Sequence, residues 1–168
     1  TDIVHGVFPL LYEYLDVNII SELSPSLRKF LHQTAHLQRL RVDLCNHMCD
    51  SDDAEARMEE LLDLGLLEGN SYSDSWFTYP PLLRNFLSRG LQKEGRRKLV
   101  DRHQLASDWY QAFGLADASL YHALQAEDYD RAIAVYAGNA RELVVAGGAA
   151  LIEQFMKSLP ADKLEQHP

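Results

Sequence analysis

The chain has 168 residues with 25 acidic and 16 basic side chains, a net charge of −9, and 46% hydrophobic residues. That is enough apolar material for a core over one or two domains, and the wrong overall sign for gripping a phosphate backbone. Cys45 and Cys49 are too few for a secreted disulfide framework, and no apolar run reaches the length of a membrane span or reads as a signal peptide, so a reducing cytoplasm is the expected setting. A start at Thr1 and an end at Gln166-His167-Pro168, without tail-like composition, read as a piece of a longer protein.

In chain order, the first elements are helical. Val7, Leu10, Leu11, Tyr14 and Leu15 fall on one stripe. Ser24 is a good N-cap with Pro25 at the first helical position, and Leu27, Phe30, Leu31 and Thr34 form the next stripe. Arg41 to Cys49 reads as a short helix carrying Val42, Leu44, Cys45 and Met48. Asp52, with Glu55 three residues on, has the spacing of a capping box for a helix with Ala54, Met58, Leu61 and Leu62 on one face. Gly65 supplies the backbone freedom to end it.

Two short β-prone runs follow, Leu66-Leu67-Glu68-Gly69 and Ser75-Trp76-Phe77-Thr78-Tyr79, around the turn-rich Asn70-Ser71-Tyr72-Ser73-Asp74. Pro80-Pro81 closes the second run and opens a helix with Leu83, Phe86, Leu87 and Leu91 on one face. A hairpin between two helices is the wing of a winged-helix domain, expected over residues 1–92.

Residues 93–168 change in texture. Leu99, His103, Ala106, Tyr110 and Phe113 follow helical spacing up to Gly114. Ala118 to Gln125, Tyr129 to Val145 and Ala149 to Leu159 read as three more helices with short joints. Alanines recur where helices would touch: at 106, 112, 116, 118, 123, 126, 132, 134 and 137. Antiparallel helix pairs with small residues at their crossings are the material of a helical solenoid, though no internal period is visible. The expected class is mostly α, a winged-helix domain with a small β-hairpin followed by antiparallel helical hairpins.

The pattern of an enzyme is missing. Gly147-Gly148 lacks the lysine and hydroxyl of a phosphate-cradling loop, and no serine sits in a nucleophile elbow. Asp101, His103 and Ser107 fall on successive turns of one helix, but His103 lies on the apolar stripe and reads as a packed core histidine rather than part of a triad. Cys45 and Cys49 share a helix face and would make half a metal site; His47 points elsewhere and His32 and His36 belong to another helix, so two core thiols are the expectation. Trp76, Phe77, Tyr79 and Trp109 read as core aromatics before base-stacking platforms.

Charge is unevenly placed. From Asp43 to Asp74 there are ten acids and one base, Arg57; from Arg84 to Arg102 there are seven bases against Glu94 and Asp101. Two solvated helix faces account for such a split. A basic surface that docks an acidic neighbour or a nucleotide phosphate is the sharper reading, with Arg89, Lys93, Arg96, Arg97 and Lys98 as docking candidates.

Several stretches resemble a known family. Phe30-Leu31-His32-Gln33-Thr34-Ala35, then Leu37, Leu40 and Leu44-Cys45, is similar to the "FLLRTSVL…LC" stretch of the large ATP-dependent LuxR-type transcriptional regulators, the MalT-like STAND ATPases. Leu61-Leu62-Asp63-Leu64-Gly65-Leu66-Leu67 resembles their "LERRGLFL", and Trp76-Phe77-Thr78-Tyr79-Pro80-Pro81-Leu82-Leu83-Arg84-Asn85-Phe86-Leu87 resembles "WYRYHPLFREFL". His103, Ala106, Trp109-Tyr110, Gly114, Ala118, Tyr121-His122-Ala123-Leu124 and Asp128-Tyr129 continue the likeness in order, and Leu159-Pro160 with Pro168 fits the "LP…RP" beyond.

The resemblance implies a regulatory interdomain module. In that family a P-loop ATPase core precedes the winged helix, a TPR-like superhelical arm that senses inducer follows it, and a LuxR helix-turn-helix lies at the far end. The ADP form is closed; ATP, Mg and inducer permit self-association and promoter binding. The resemblance therefore implies ATP/ADP and Mg for the parent and none for this segment, with neighbouring domains of the same chain as partners. An inducer or a protein on the helical arm is implied as well, with no direct nucleic acid and no membrane. Where the family has a nucleotide-sensing histidine this chain has Pro80, and the arginine before the tyrosine is Thr78, which leaves Arg84 as the candidate substitute. The alternatives are a stand-alone winged-helix DNA-binding domain, opposed by the acidic helix before the wing, and a helical protein–protein adaptor.

Overall fold

In a computed structural model of the chain, residues 13–69, 76–93, 95–145 and 149–160 are described. The Val7, Leu10 and Leu11 part of the first stripe, the wing turn after Gly69, Gly147-Gly148 and the last eight residues lie outside them. Two compact units divide at Thr1–Gly95 and Arg96–Pro168.

The first unit opens on a π-helical turn, Asp16–Ile20. Helix α1 (Pro25–Thr34) starts as its sequence dictates: Ser24 Oγ accepts from the Leu27 amide at 3.2 Å and Pro25 presets the first turn. It buries Leu27, Phe30, Leu31 and Thr34. Helix α2 (Val42–Cys49) buries Leu44, Cys45 and Met48, and α3 (Ala54–Asp63) buries Ala54, Met58 and Leu61.

The expected capping box at Asp52 and Glu55 does not form. The cap residue is Asp53, and Asn46 Oδ1 reaches across from α2 to accept the Ala54 amide at 2.9 Å. That bond satisfies the first orphan donor of α3 from outside, leaving Asp53 to pair with Arg57 one turn on. The end of α3 follows expectation. Gly65 takes φ +68, its amide donates to the Leu62 carbonyl at 3.0 Å, and the Leu66 amide donates to the Leu61 carbonyl at 2.8 Å. These are the paired bonds of a Schellman stop, and Leu61 and Leu66 are both buried beside them.

Strands β1 (Glu68–Gly69) and β2 (Phe77–Thr78) pair antiparallel, Glu68 opposite Thr78 and Gly69 opposite Phe77. The unexpected feature is on the far side of β2. Leu40 forms an antiparallel bridge with Phe77, through amide-to-carbonyl bonds of 2.7 and 2.9 Å in the two directions. Tyr79 then plunges into the core, 1% exposed, and its hydroxyl lies 2.6 Å from Thr34 Oγ1, which itself donates to the Phe30 carbonyl at 2.8 Å. Helix α4 (Pro81–Gln92) follows at once and buries Leu83, Leu87 and Leu91; Phe86, on the same predicted face, is half-buried.

The second unit is a run of helices: α5 (Arg96–Ala112), α6 (Ala116–Gln125), α7 (Tyr129–Val145) and α8 (Ala149–Ser158). Helix α6 packs against both α5 and α7, and α8 against α6 and α7. Of the alanines expected at crossings, Ala106, Ala116, Ala118, Ala123, Ala126 and Ala132 are buried, while Ala112, Ala134 and Ala137 face solvent. Phe113 is not core either: it is 51% exposed and stacks on Trp109. Helix α7 is not one straight rod. Asn139 breaks its dihedrals at φ −133° and caps the bend by donating to the Val135 carbonyl at 2.8 Å. Among the described residues no helix is long and apolar enough to cross a membrane.

The tightest point of the wing is Gly69. A Cβ there would stand 2.5 Å from Phe77 Cδ1 and 2.8 Å from the Trp76 carbonyl oxygen. Gly69→Ala is expected to lower unfolding free energy by roughly 1–3 kcal/mol, read from urea denaturation of the intact chain, by forcing the two strands apart. A change under about 0.5 kcal/mol would mean that the ribbon yields freely.

Candidate functional site

The residues singled out by charge and resemblance lie along α4 and the first turn of α5. Pro80 is the cap residue of α4, with φ −50° and ψ 143°, and its carbonyl accepts the Arg84 amide at 2.9 Å. Arg84 is half-buried and turns toward the segment before the Leu40 bridge, where its Nη2 donates to the Gln38 carbonyl at 3.3 Å. Pro80 has no side-chain donor, while Arg84 Nη2 is engaged by the Gln38 carbonyl and its Nε is buried.

Arg89 and Lys93 are exposed at the end of α4, where cations suit the carbonyl end of a helix. Arg96, Arg97 and Lys98 are exposed in the opening turn of α5, which carries no acid. There the helix dipole opposes them. Arg96 pairs with Glu127, a residue at the joint between α6 and α7, with both partners largely in solvent. Arg89 and Lys93 belong to the first unit and Arg96, Arg97 and Lys98 to the second.

On the opposite charge, α3 carries Glu55, Glu59, Glu60 and Asp63, all exposed. In winged helices that read DNA, the helix before the wing enters the groove; here it would bring carboxylates to phosphates. The aromatics near the wing are engaged as well. Phe77, Tyr79 and Trp109 are buried, as expected. Trp76 is not a core residue: it is half-exposed, with the guanidinium groups of Arg39 and Arg41 at 5.2 and 5.0 Å from its ring. Arg41 also makes a two-point pair with Asp43, whose carboxyl it holds below the usual carboxylate range. A base would have to displace those cations to stack there.

The histidine, serine and cysteine candidates resolve into packing. His103 Nδ1 lies 2.8 Å from His122 Nδ1 across the α5–α6 contact, so one ring is the Nδ1–H tautomer and the other accepts. Tyr110 stacks on His122. One turn along, Ser107 Oγ donates to the Ser119 carbonyl at 2.9 Å and Ser119 Oγ to the Ser107 carbonyl at 3.0 Å. Asp101 is exposed, so the three residues do not assemble as a nucleophile, base and orienter. Cys45 is buried in α2 and Cys49 half-buried, both free thiols, and burial pushes the Cys45 thiol up so that it stays protonated. Among the described residues no group of three or more His, Cys, Asp or Glu is placed to hold a metal ion.

Comparison with known proteins adds the lineage. Residues 17–99 match the family model of the MalT winged helix domain. Over 159 residues the chain is 29% identical to the HTH-type transcriptional regulator MalT of Cronobacter sakazakii, covering 94% of this chain and 18% of that protein. The chain thus spans less than a fifth of the length of that relative.

Burial holds His103 neutral, lowering its pKa from 6.5 to about 4. Unfolding releases it to bind a proton, so its contribution is fully present above about pH 6.5 and is lost as pH falls toward 4. On the order of 3 kcal/mol is at stake across that window. The measurement is urea denaturation at pH 7.5 and pH 5. His103→Asn should flatten the difference seen in the native chain; equal slopes in both would show that the buried pair does not govern acid sensitivity.

Proposed function

Residues 17–99 belong to the MalT winged helix domain family, and from that premise we propose that the chain is a regulatory interdomain module of a cytoplasmic MalT-like LuxR-family regulator. It couples a nucleotide-binding STAND ATPase core to an inducer-sensing, TPR-like helical arm. ATP or ADP with Mg belongs to that core in the parent. Pro80 offers no side-chain donor to a nucleotide there, and Arg84 stays the candidate substitute.

The observation that carries the reading is the sign of charge on the helix before the wing. Glu55, Glu59, Glu60 and Asp63 make α3 unfit for a DNA groove, so the winged helix is left to act between protein domains. The exposed cations at the start of α5 support the same reading: Arg96 already meets Glu127, and an acidic neighbour would meet Arg97 and Lys98 against the helix dipole. The successive packing of α5, α6, α7 and α8 supports the arm, since each helix buries its face on a neighbour as repeat arrays do. A lever of this kind works if two docked states differ in energy and both nucleotide and inducer bias them.

The test is charge reversal in the full-length regulator. Arg96→Glu, Arg97→Glu and Lys98→Glu together should shift basal or induced transcription by about fivefold or more, the scale of a coupling of 1 kcal/mol or above. Unchanged basal and induced levels would remove that surface from the switch. A salt-dependent shift of labelled duplex DNA by the purified chain would instead favour a stand-alone DNA reader.

A further inference from the structure

Helices α2 and α3 and strand β2 enclose a groove of about 390 Å³. Its floor is apolar: Met58 is 2% and Phe77 7% exposed, with Val42 and Leu62 half-buried beside them. On its rim Arg41 and Asp43 neutralise one another in their two-point pair. The charge left over is that of Glu55 and Glu59, one turn apart on α3, exposed and without an ion pair among the described residues. Two like charges at that spacing repel each other. A cation laid between them would relieve that repulsion.

We propose that this groove is a docking site for a basic amphipathic helix of a protein partner. The apolar floor takes its hydrophobic stripe, and Glu55 and Glu59 take lysines or arginines one turn apart at its edge. A strand is not the occupant. Phe77 is already bonded to Leu40 on one side and paired with Gly69 on the other, so the groove offers no free sheet edge. A nucleic acid is excluded by the same carboxylates that select the cation. The groove lies within the first unit, and its docking does not depend on which domain the basic residues of α5 meet.

The probe is a short fluorescein-labelled peptide of leucine and lysine at helical spacing, titrated by anisotropy into the intact chain. Glu55→Lys with Glu59→Lys should raise its Kd about tenfold or more. Glu22→Lys with Glu142→Lys, an equal change in net charge at exposed sites elsewhere, should raise it by less than about threefold. Equal losses in the two variants would overturn the site, as would equal binding by a peptide with its leucines replaced by serine. Either result assigns the binding to net charge alone. Sedimentation of the chain without peptide covers the remaining occupant: a dimer that Glu55→Lys with Glu59→Lys abolishes would make a second copy the guest and overturn the partner class.

Discussion

The first unit depends on how residues 77–79 are clamped. Phe77 exchanges two backbone bonds with Leu40 and is paired through β1 with Gly69, and Tyr79 drives its ring into the core to reach Thr34 at the end of α1. Thr34 Oγ1 donates to the Phe30 carbonyl, so the tyrosine hydroxyl is the donor to Thr34, and burial pushes its pKa well above the usual phenol range. A buried bond of this kind contributes about 1 kcal/mol net, but losing one partner leaves a buried polar group unmet and costs more. Three residues thereby tie α1, the approach to α2, the end of α3 and the start of α4 to one short ribbon. Pro80-Pro81 then starts α4 with no slack.

That clamp explains the surface. With β2 bonded on both sides, residues 77 and 78 have little freedom to reshape around a ligand, and recognition falls to what the helices display. In the first unit α3 displays carboxylates and the end of α4 displays cations; in the second unit the start of α5 displays cations. Surfaces of opposite charge that different neighbours could hold in different states are what the proposed lever requires. In the second unit two polar pairs are buried between helices. The His103–His122 and Ser107–Ser119 pairs fix the register of α5 on α6 by requiring specific partners, where an all-alanine seam would let the helices slide.

Much of the fold was legible, for identifiable reasons. The helices of the first unit announced themselves through Ser24-Pro25, Gly65 and Pro80-Pro81, local signals that tertiary packing did not override. The β-hairpin was readable because β-prone runs flank a turn-rich segment. What escaped was non-local. Leu40 gave one faint cue, the alternation Arg39-Leu40-Arg41, which places leucine inward and two guanidinium groups over Trp76. Asn46 as the external cap of α3, and His122 as the partner of His103, lie 8 and 19 residues away, beyond any spacing rule. Gly138-Asn139 was a visible break signal inside α7 that helical periodicity masked. Of the site, the charge split was plain in the sequence; the apolar groove beside Glu55 and Glu59 was not, because its floor comes from α2, α3 and β2 together.

Native-state hydrogen exchange at the Leu40 and Phe77 amides tests the clamp most directly. Both should exchange in the slowest class, together with the buried amides Cys45 and Leu61 of α2 and α3, since Leu40 and Phe77 each donate to the other's carbonyl. Exchange at the rate of an unbonded surface amide, while α2 and α3 stay protected, would show the ribbon opening independently of the helices and would contradict the account.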